Sequence, residues 1–331
     1  MDRAWIASLP KIELHVHIEG SIRPETVLRL AQKNGIRLPA QDLDGLREFY
    51  RFRDFPHFVE VYVAVTQCVK DEEDLYTVFT EFLQGQAAQN IVYTEATYTA
   101  STVESHCGIP WPRQLEAIKS AITDSGERLG LVLDIVRGQS VEDAFRVLDW
   151  VQGALGGVVC ALGLAGEERK GTSEYRPVFD EAHRAGVPVT VHAGETCGAE
   201  SVAEVLDVCR PHRIGHGVRA IEDDSVVARL RDSGILLEVC PSSNVCLGVV
   251  PSLAEHPLPE LRAADLRVTV NSDDPPMFGT TLTDELVRCS EAFGWSESTL
   301  LAMNADAARS AFLPERERET LLAAVLSTQG V

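Results

Sequence analysis

Lysine is nearly missing from this chain: Lys11, Lys33, Lys70, Lys119 and Lys170 are the whole set in 331 residues. Acidic residues outnumber basic ones by 50 to 30, which leaves a formal net charge of -20. Binding to a phosphate backbone draws its affinity from cationic counterion release, so nucleic-acid polymers are excluded as partners. No basic cluster is present to hold an anionic membrane surface. Long hydrophobic runs are lacking too, since the apolar stretch at 158–165 falls far short of a membrane span. The opening MDRAWIASLPKIEL carries no apolar core of a signal peptide. Eight cysteines form no C-x-x-C pair, so a thiolate zinc knuckle or redox motif is not indicated. They read as small apolar residues in a reducing compartment. The expectation is a soluble, cytoplasmic protein with a small-molecule partner.

What is present is a repeated alternation. Short apolar, β-branched runs fall at 12–16, 91–96, 131–136, 157–162, 187–191, 213–215, 235–239 and 267–270. Several are continuous rather than alternating, which suits parallel strands covered on both faces. Helical patterns lie between them, at 112–125, 141–152, 179–185 and 225–231, with Ser140 as a start signal and Gly186 and Gly234 as stops. Eight such units predict a (β/α)8 barrel, with a doubly wound open sheet as second choice. No internal repeat or low-complexity linker appears, so 1–331 reads as one domain. The first crossover is oversized. About 70 residues separate the first two strands, and 23–34, 55–69 and 72–89 look helical. Phe49, Tyr50, Phe52, Phe55, Phe58 and Tyr62 make this insertion (approximately 23–90) either a core stripe or a lid over the barrel's mouth, and both can be partly true.

Histidines mark the strand ends. His15-Val16-His17 closes the first, His192-Ala193-Gly194-Glu195 follows the fifth, and Gly215-His216-Gly217 closes the sixth. Asn271-Ser272-Asp273-Asp274 follows the eighth. In a barrel these ends converge on one face, the usual place for an active site. Side chains alternate along a strand, so His15 and His17 share a face. A single histidine is more often an ordinary core or surface residue, and Asp273-Asp274 alone reads as a turn. Four strand ends supplying His, His, His and Asp together point to a metal site.

On these residues the chain resembles the adenosine deaminase family of the metal-dependent amidohydrolases. The resemblance rests on Leu14-His15-Val16-His17-Ile18-Glu19-Gly20-Ser21, Leu164-Ala165-Gly166-Glu167-Glu168 and His192-Ala193-Gly194-Glu195. It continues through Arg213-Ile214-Gly215-His216-Gly217, Cys240-Pro241-Ser242-Ser243-Asn244 and Asn271-Ser272-Asp273-Asp274-Pro275. It covers about residues 8–315. The resemblance implies one zinc ion on His15, His17, His192 and Asp273. It implies Glu195 as the acid that protonates purine N1 and His216 as the group that orients the attacking water. It also implies Gly166 as backbone donor to N3 and Asp274 as the partner of N7. An aspartate can bond the acceptor N7 only when protonated, and two adjacent carboxylates push their pKa values apart; the alternative for Asp274 is an orienting role. Binuclear amidohydrolases carry a lysine at the end of strand four, where this chain has 163–166 without one. The cytidine deaminase type needs P-C-x-x-C, which is absent.

Three positions depart from adenosine-acting members: Glu19 stands for a sugar-contacting Asp, Gly163 for an Asp, and Thr97 for an Arg. Members acting on free adenine share H-x-H-x-E-G but tend to show Asp where this chain has Gly215. Members acting on aminodeoxyfutalosine resemble residues 273–280 closely. The expectation is therefore a 6-aminopurine nucleoside, adenosine or 2'-deoxyadenosine, with aminodeoxyfutalosine and adenine as alternatives.

Overall fold

The structure, a computed structural model, describes residues 2–327. Eight strands form one parallel sheet in sequence order. They are β1 (Lys11–His17), β2 (Ile91–Tyr98), β3 (Leu129–Val136), β4 (Val159–Ala165), β5 (Val189–Ala193), β6 (Arg213–His216), β7 (Leu236–Val239) and β8 (Arg267–Val270). Nearly every strand residue is buried, as expected for strands wrapped by helices on the outside and filled with side chains inside. Between β8 and β1 the ring closes through the segment that follows β8. Asn271 Oδ1 accepts from Leu14 N–H at 3.0 Å. His17 N–H donates to Asp273 O at 2.8 Å, and Asp273 N–H to His15 O at 3.2 Å. The expected (β/α)8 barrel is the observed fold.

Boundaries shift where local chemistry forbids a ladder. The fourth strand starts at Val159 rather than 157, because Gly156 turns with a φ of 76°. The fifth starts after Pro188, which has no N–H to give. In β1 the register against β2 slips between Glu13 and Val16. Glu13 turns to Gln86 and Ser272, whereas His15 and His17 meet with ring centroids 5.3 Å apart.

The long first crossover contains four helices. With α1 (Arg3–Ser8) ahead of the barrel, they are α2 (Pro24–Lys33), α3 (Leu43–Phe49), α4 (Phe55–Thr66) and α5 (Glu72–Ala88). Asp42, Asp54 and Asp71 cap the last three, each accepting from a backbone N–H three residues on. The patterns at 23–34, 55–69 and 72–89 correspond to α2, α4 and α5. The seven-residue α3 was not expected, being too short to show a period. Among the described residues no helix is long and apolar enough to cross a membrane.

Candidate active site

The strand ends bring together all four expected ligands. His17 Nε2 lies 3.2 Å from His192 Nε2 and 3.3 Å from Asp273 Oδ1. His15 Nε2 lies 3.5 Å from the same oxygen. Zinc bonds of about 2.0–2.1 Å place neighbouring ligand atoms of a tetrahedron about 3.3 Å apart, so the spacing suits one small cation. The ring orientations suit it as well. His15 Nδ1 donates to Glu238 Oε2 at 2.9 Å, and His192 Nδ1 to Leu164 O at 3.3 Å. Each bond fixes the tautomer and turns an Nε2 lone pair inward. His15 Nε2 is buried with no hydrogen-bond partner, as a metal-directed nitrogen would be.

The electrostatics tell the same story. Burial pulls His17 down to about 4 and His192 well below its ordinary value, which favours the neutral imidazole at both. Burial also lowers His15, but the carboxylates of Asp273 and Glu238 beside it outweigh that and carry it up to about 10. Burial favours the neutral acid at Asp273, yet the His15 hydrogen bond and the neighbouring imidazoles hold it well below the carboxylate range. Burial and the charge of Asp273 push Asp274 the other way, well above that range. The two adjacent carboxyls are thus split in the expected sense. Cys240 also lies close to His15, His216 and Asp273, but burial pushes its thiol up and keeps it protonated.

Asp273 and His216 have φ values of 63° and 60°, the left-handed region that side chains other than glycine enter at a cost. Gly215 makes room for the ligands: a Cβ there would stand 2.7 Å from His15 Cε1 and 3.3 Å from His192 Cγ. Gly20 does the same for Asp274, whose Oδ1 would lie 1.6 Å from an added Cβ.

One cavity of about 140 Å³ is lined by the expected His17, Gly166, His192, Glu195, His216, Asp273 and Asp274. Glu195 is buried, 3.7 Å from His216 Nε2, and burial foremost, then Asp273 and Glu168, raises its carboxyl well above the usual range. Its loop is held in place by Glu168, a residue that the motif at 164–168 contains but to which sequence reasoning gave no role. The Glu168 carboxylate accepts from the backbone N–H groups of Gly194, Glu195, Thr196 and Cys197 at 2.9–3.2 Å, and from Ser201 Oγ at 2.7 Å. Asp134 was also missed. It is buried, lines the cavity and leaves Oδ2 without a partner. Its Oδ1 fills the space over Gly163, where a Cβ would come within 1.8 Å. The departure at Gly163 was the signal: the carboxylate missing from β4 has a counterpart on β3, in register with Gly163.

The insertion supplies the cover. Phe55, Phe58, Val59, Tyr62 and Val63 of α4 line the cavity, and Phe58 also packs on Phe278 at 5.6 Å. Both readings of the aromatic stripe therefore apply. Glu19 is placed differently from expectation. Its Oε1 accepts from Thr99 N–H at 2.8 Å and its Oε2 from Tyr62 Oη–H at 3.0 Å. Tyr62 lines the cavity there, with Glu19 tied to its hydroxyl.

Comparison with known proteins shows the family. A family model described as "Adenosine deaminase" matches residues 10–328. An adenine deaminase of Rhizobium leguminosarum is 38% identical over 320 residues, covering 95% of this chain and 98% of its own. One from Rhizobium etli is 40% identical over 321 residues, with the same coverage. The crystal structure of adenine deaminase from Arthrobacter aurescens superposes with a TM-score of 0.89 at 33% identity, covering 98% of this chain and all of that one. The chain belongs to the adenosine deaminase family and is a hydrolytic deaminase.

Proposed function

We propose that this protein is a zinc-dependent aminohydrolase of free adenine, exchanging the 6-amino group for oxygen and releasing ammonia. The chemistry rests on one observation: His17, His192, Asp273 and Glu195 line a single cavity, with His15 clustered on His17 and His192 beneath it. The choice of adenine over a nucleoside rests on Glu19. The sequence pattern assigned it to a sugar, but Thr99 N–H and Tyr62 Oη–H hold its carboxylate, which is not among the groups lining the cavity. The similar proteins named adenine deaminase favour the same alternative over adenosine or 2'-deoxyadenosine.

His15, His17, His192 and Asp273 would hold one zinc ion, which supplies Lewis acidity and a water acidic near neutral pH. The chain's own groups do the rest. Addition at C6 pushes electron density onto N1, where Glu195 delivers its proton. His216 directs its Nε2 edge at the attacking oxygen. Gly166 N–H bonds N3. Asp274, kept protonated by burial and by its neighbour's charge, donates to the acceptor N7. The added water gives up both its protons: Glu195 relays one to the leaving amine and retains the other, so that ammonia departs and the acid is restored. Tyr62, Phe58 and Val136 keep bulk water from the ring. Metal removal by chelation followed by adenine turnover tests this reading. Activity should vanish and return with added zinc; an apoprotein as active as the loaded one overturns it.

A further inference from the structure

A chain of hydrogen bonds outside the cavity ends on His216. Leu258 N–H donates to His256 Nδ1 at 3.1 Å. That backbone group can only donate, so it sets the direction of everything after it. His256 is buried, and burial pulls it down to about 4, so the ring is neutral and carries its one proton on Nε2. Nε2 lies 3.1 Å from Asn244 Oδ1. With its oxygen thus engaged, the fully buried Asn244 turns its amide N–H₂ to His216, Nδ2 to Nδ1 at 3.3 Å. His216 Nδ1 must accept. A ring nitrogen that accepts an N–H bond bears no proton, so the one proton of His216 sits on Nε2. That edge faces Glu195 Oε2 at 3.7 Å and Asp273 Oδ2 at 3.9 Å, while the His15 and His192 rings flank it at 4.9 and 5.3 Å.

We propose that His256 and Asn244 are positioning residues that lock His216 in its Nε2–H tautomer, making it a hydrogen-bond donor to the attacking oxygen and not a base that deprotonates it. The catalytic consequence rests on the deaminase reading above; the tautomer does not. A ring free to choose would also populate the Nδ1–H form, which turns a lone pair toward Glu195 and the incoming oxygen. Both residues lie after β7, on the Pro241–Cys246 helix and just beyond the Leu253–Glu255 turn, with neither lining the cavity.

Histidine labelled with ¹⁵N, read by long-range ¹H–¹⁵N correlation on the zinc-loaded protein, reports the tautomer without any substrate. His216 and His256 should both appear as Nε2–H. Asn244→Asp replaces the amide donor with an acceptor, so His216 should gain a proton at Nδ1. Its kcat should fall about 100-fold with KM within about threefold and metal content unchanged, the pattern of an interaction lost in the transition state. His256→Gln keeps a donor for Asn244 and should recover most of the turnover that His256→Leu loses. An Nδ1–H tautomer at His216 in the native protein overturns the proposal. Equal losses in the Gln and Leu variants do so as well, since they indicate packing alone. If the native tautomer is as stated and adenine is not deaminated, the relay stands and the functional reading fails.

Discussion

Replacing Glu168 should damage both stability and catalysis, although its side chain touches no reacting atom. Its carboxylate accepts five hydrogen bonds, four of them from consecutive backbone N–H groups of residues 194–197. Bonds to a charged acceptor contribute about 1.5–3 kcal/mol each, and a buried donor left alone costs about 1–3 kcal/mol. Five such losses cannot add in full, because the total would rival the roughly 5–15 kcal/mol stability of a whole protein. Water entry and loop relaxation recover part, leaving about 3–5 kcal/mol for Glu168→Ala. Glu168→Gln keeps one accepting oxygen and presents an amide to the remaining donors, so about 2–3 kcal/mol is expected. The loop carries Glu195, and a misplacement of about 1 Å costs on the order of 100-fold in rate. Denaturant unfolding at fixed zinc and steady-state kinetics measure both effects. Glu168→Ala with native midpoint and native kcat would refute the claim that this carboxylate builds the acid's loop.

Other expectations follow from named groups. Glu195→Gln should leave zinc bound, by metal analysis, and abolish most turnover; near-native kcat removes Glu195 from its acid role. Glu19→Asp, one methylene shorter, cannot reach both Tyr62 and Thr99, so the ratio of adenine to adenosine turnover should fall while metal content holds. An unchanged ratio refutes the specificity argument. His256 supplies a pH signature. Its folded pKa is about 4 against 6.5 for the free side chain, so between these values the unfolded chain binds more protons and stability falls as pH falls. Measured as the gap between native protein and His256→Gln, about 2 kcal/mol should disappear from pH 7 to pH 5. A gap independent of pH contradicts a neutral, buried His256.

Much of the barrel was legible because its strands are continuous apolar runs, and the cluster of candidate ligands was legible because its members stand at the ends of those runs. The chemistry of His15-x-His17 and His192 through Glu195 is local in sequence. What supports it is not. Glu238 lies 223 residues from the His15 it orients, and Asn244 lies 28 residues from His216. Closure of the ring brings the first pair together, and the pairing of β6 with β7 the second. Asp134 sits inside an apolar run and carries no motif; its meaning depends on the gap over Gly163 of the next strand. Glu19 was read as free to meet a sugar because the sequence does not disclose that α4 folds back and places the Tyr62 hydroxyl against it. The adenosine preference rested on Gly215 and the Leu164-Ala165-Gly166-Glu167 stretch, and the adenine deaminases among the similar proteins favour the adenine alternative instead.

The central claim is that a metal held by His15, His17, His192 and Asp273 serves the deamination of a free base. Specificity constants for adenine, adenosine, 2'-deoxyadenosine and aminodeoxyfutalosine, taken on zinc-loaded and chelated protein side by side, test it most directly. The account predicts adenine ahead of each nucleoside by roughly 100-fold, about 2.7 kcal/mol in transition-state binding, and no turnover without metal. A nucleoside turned over better than adenine, or full activity in the chelated protein, would contradict it.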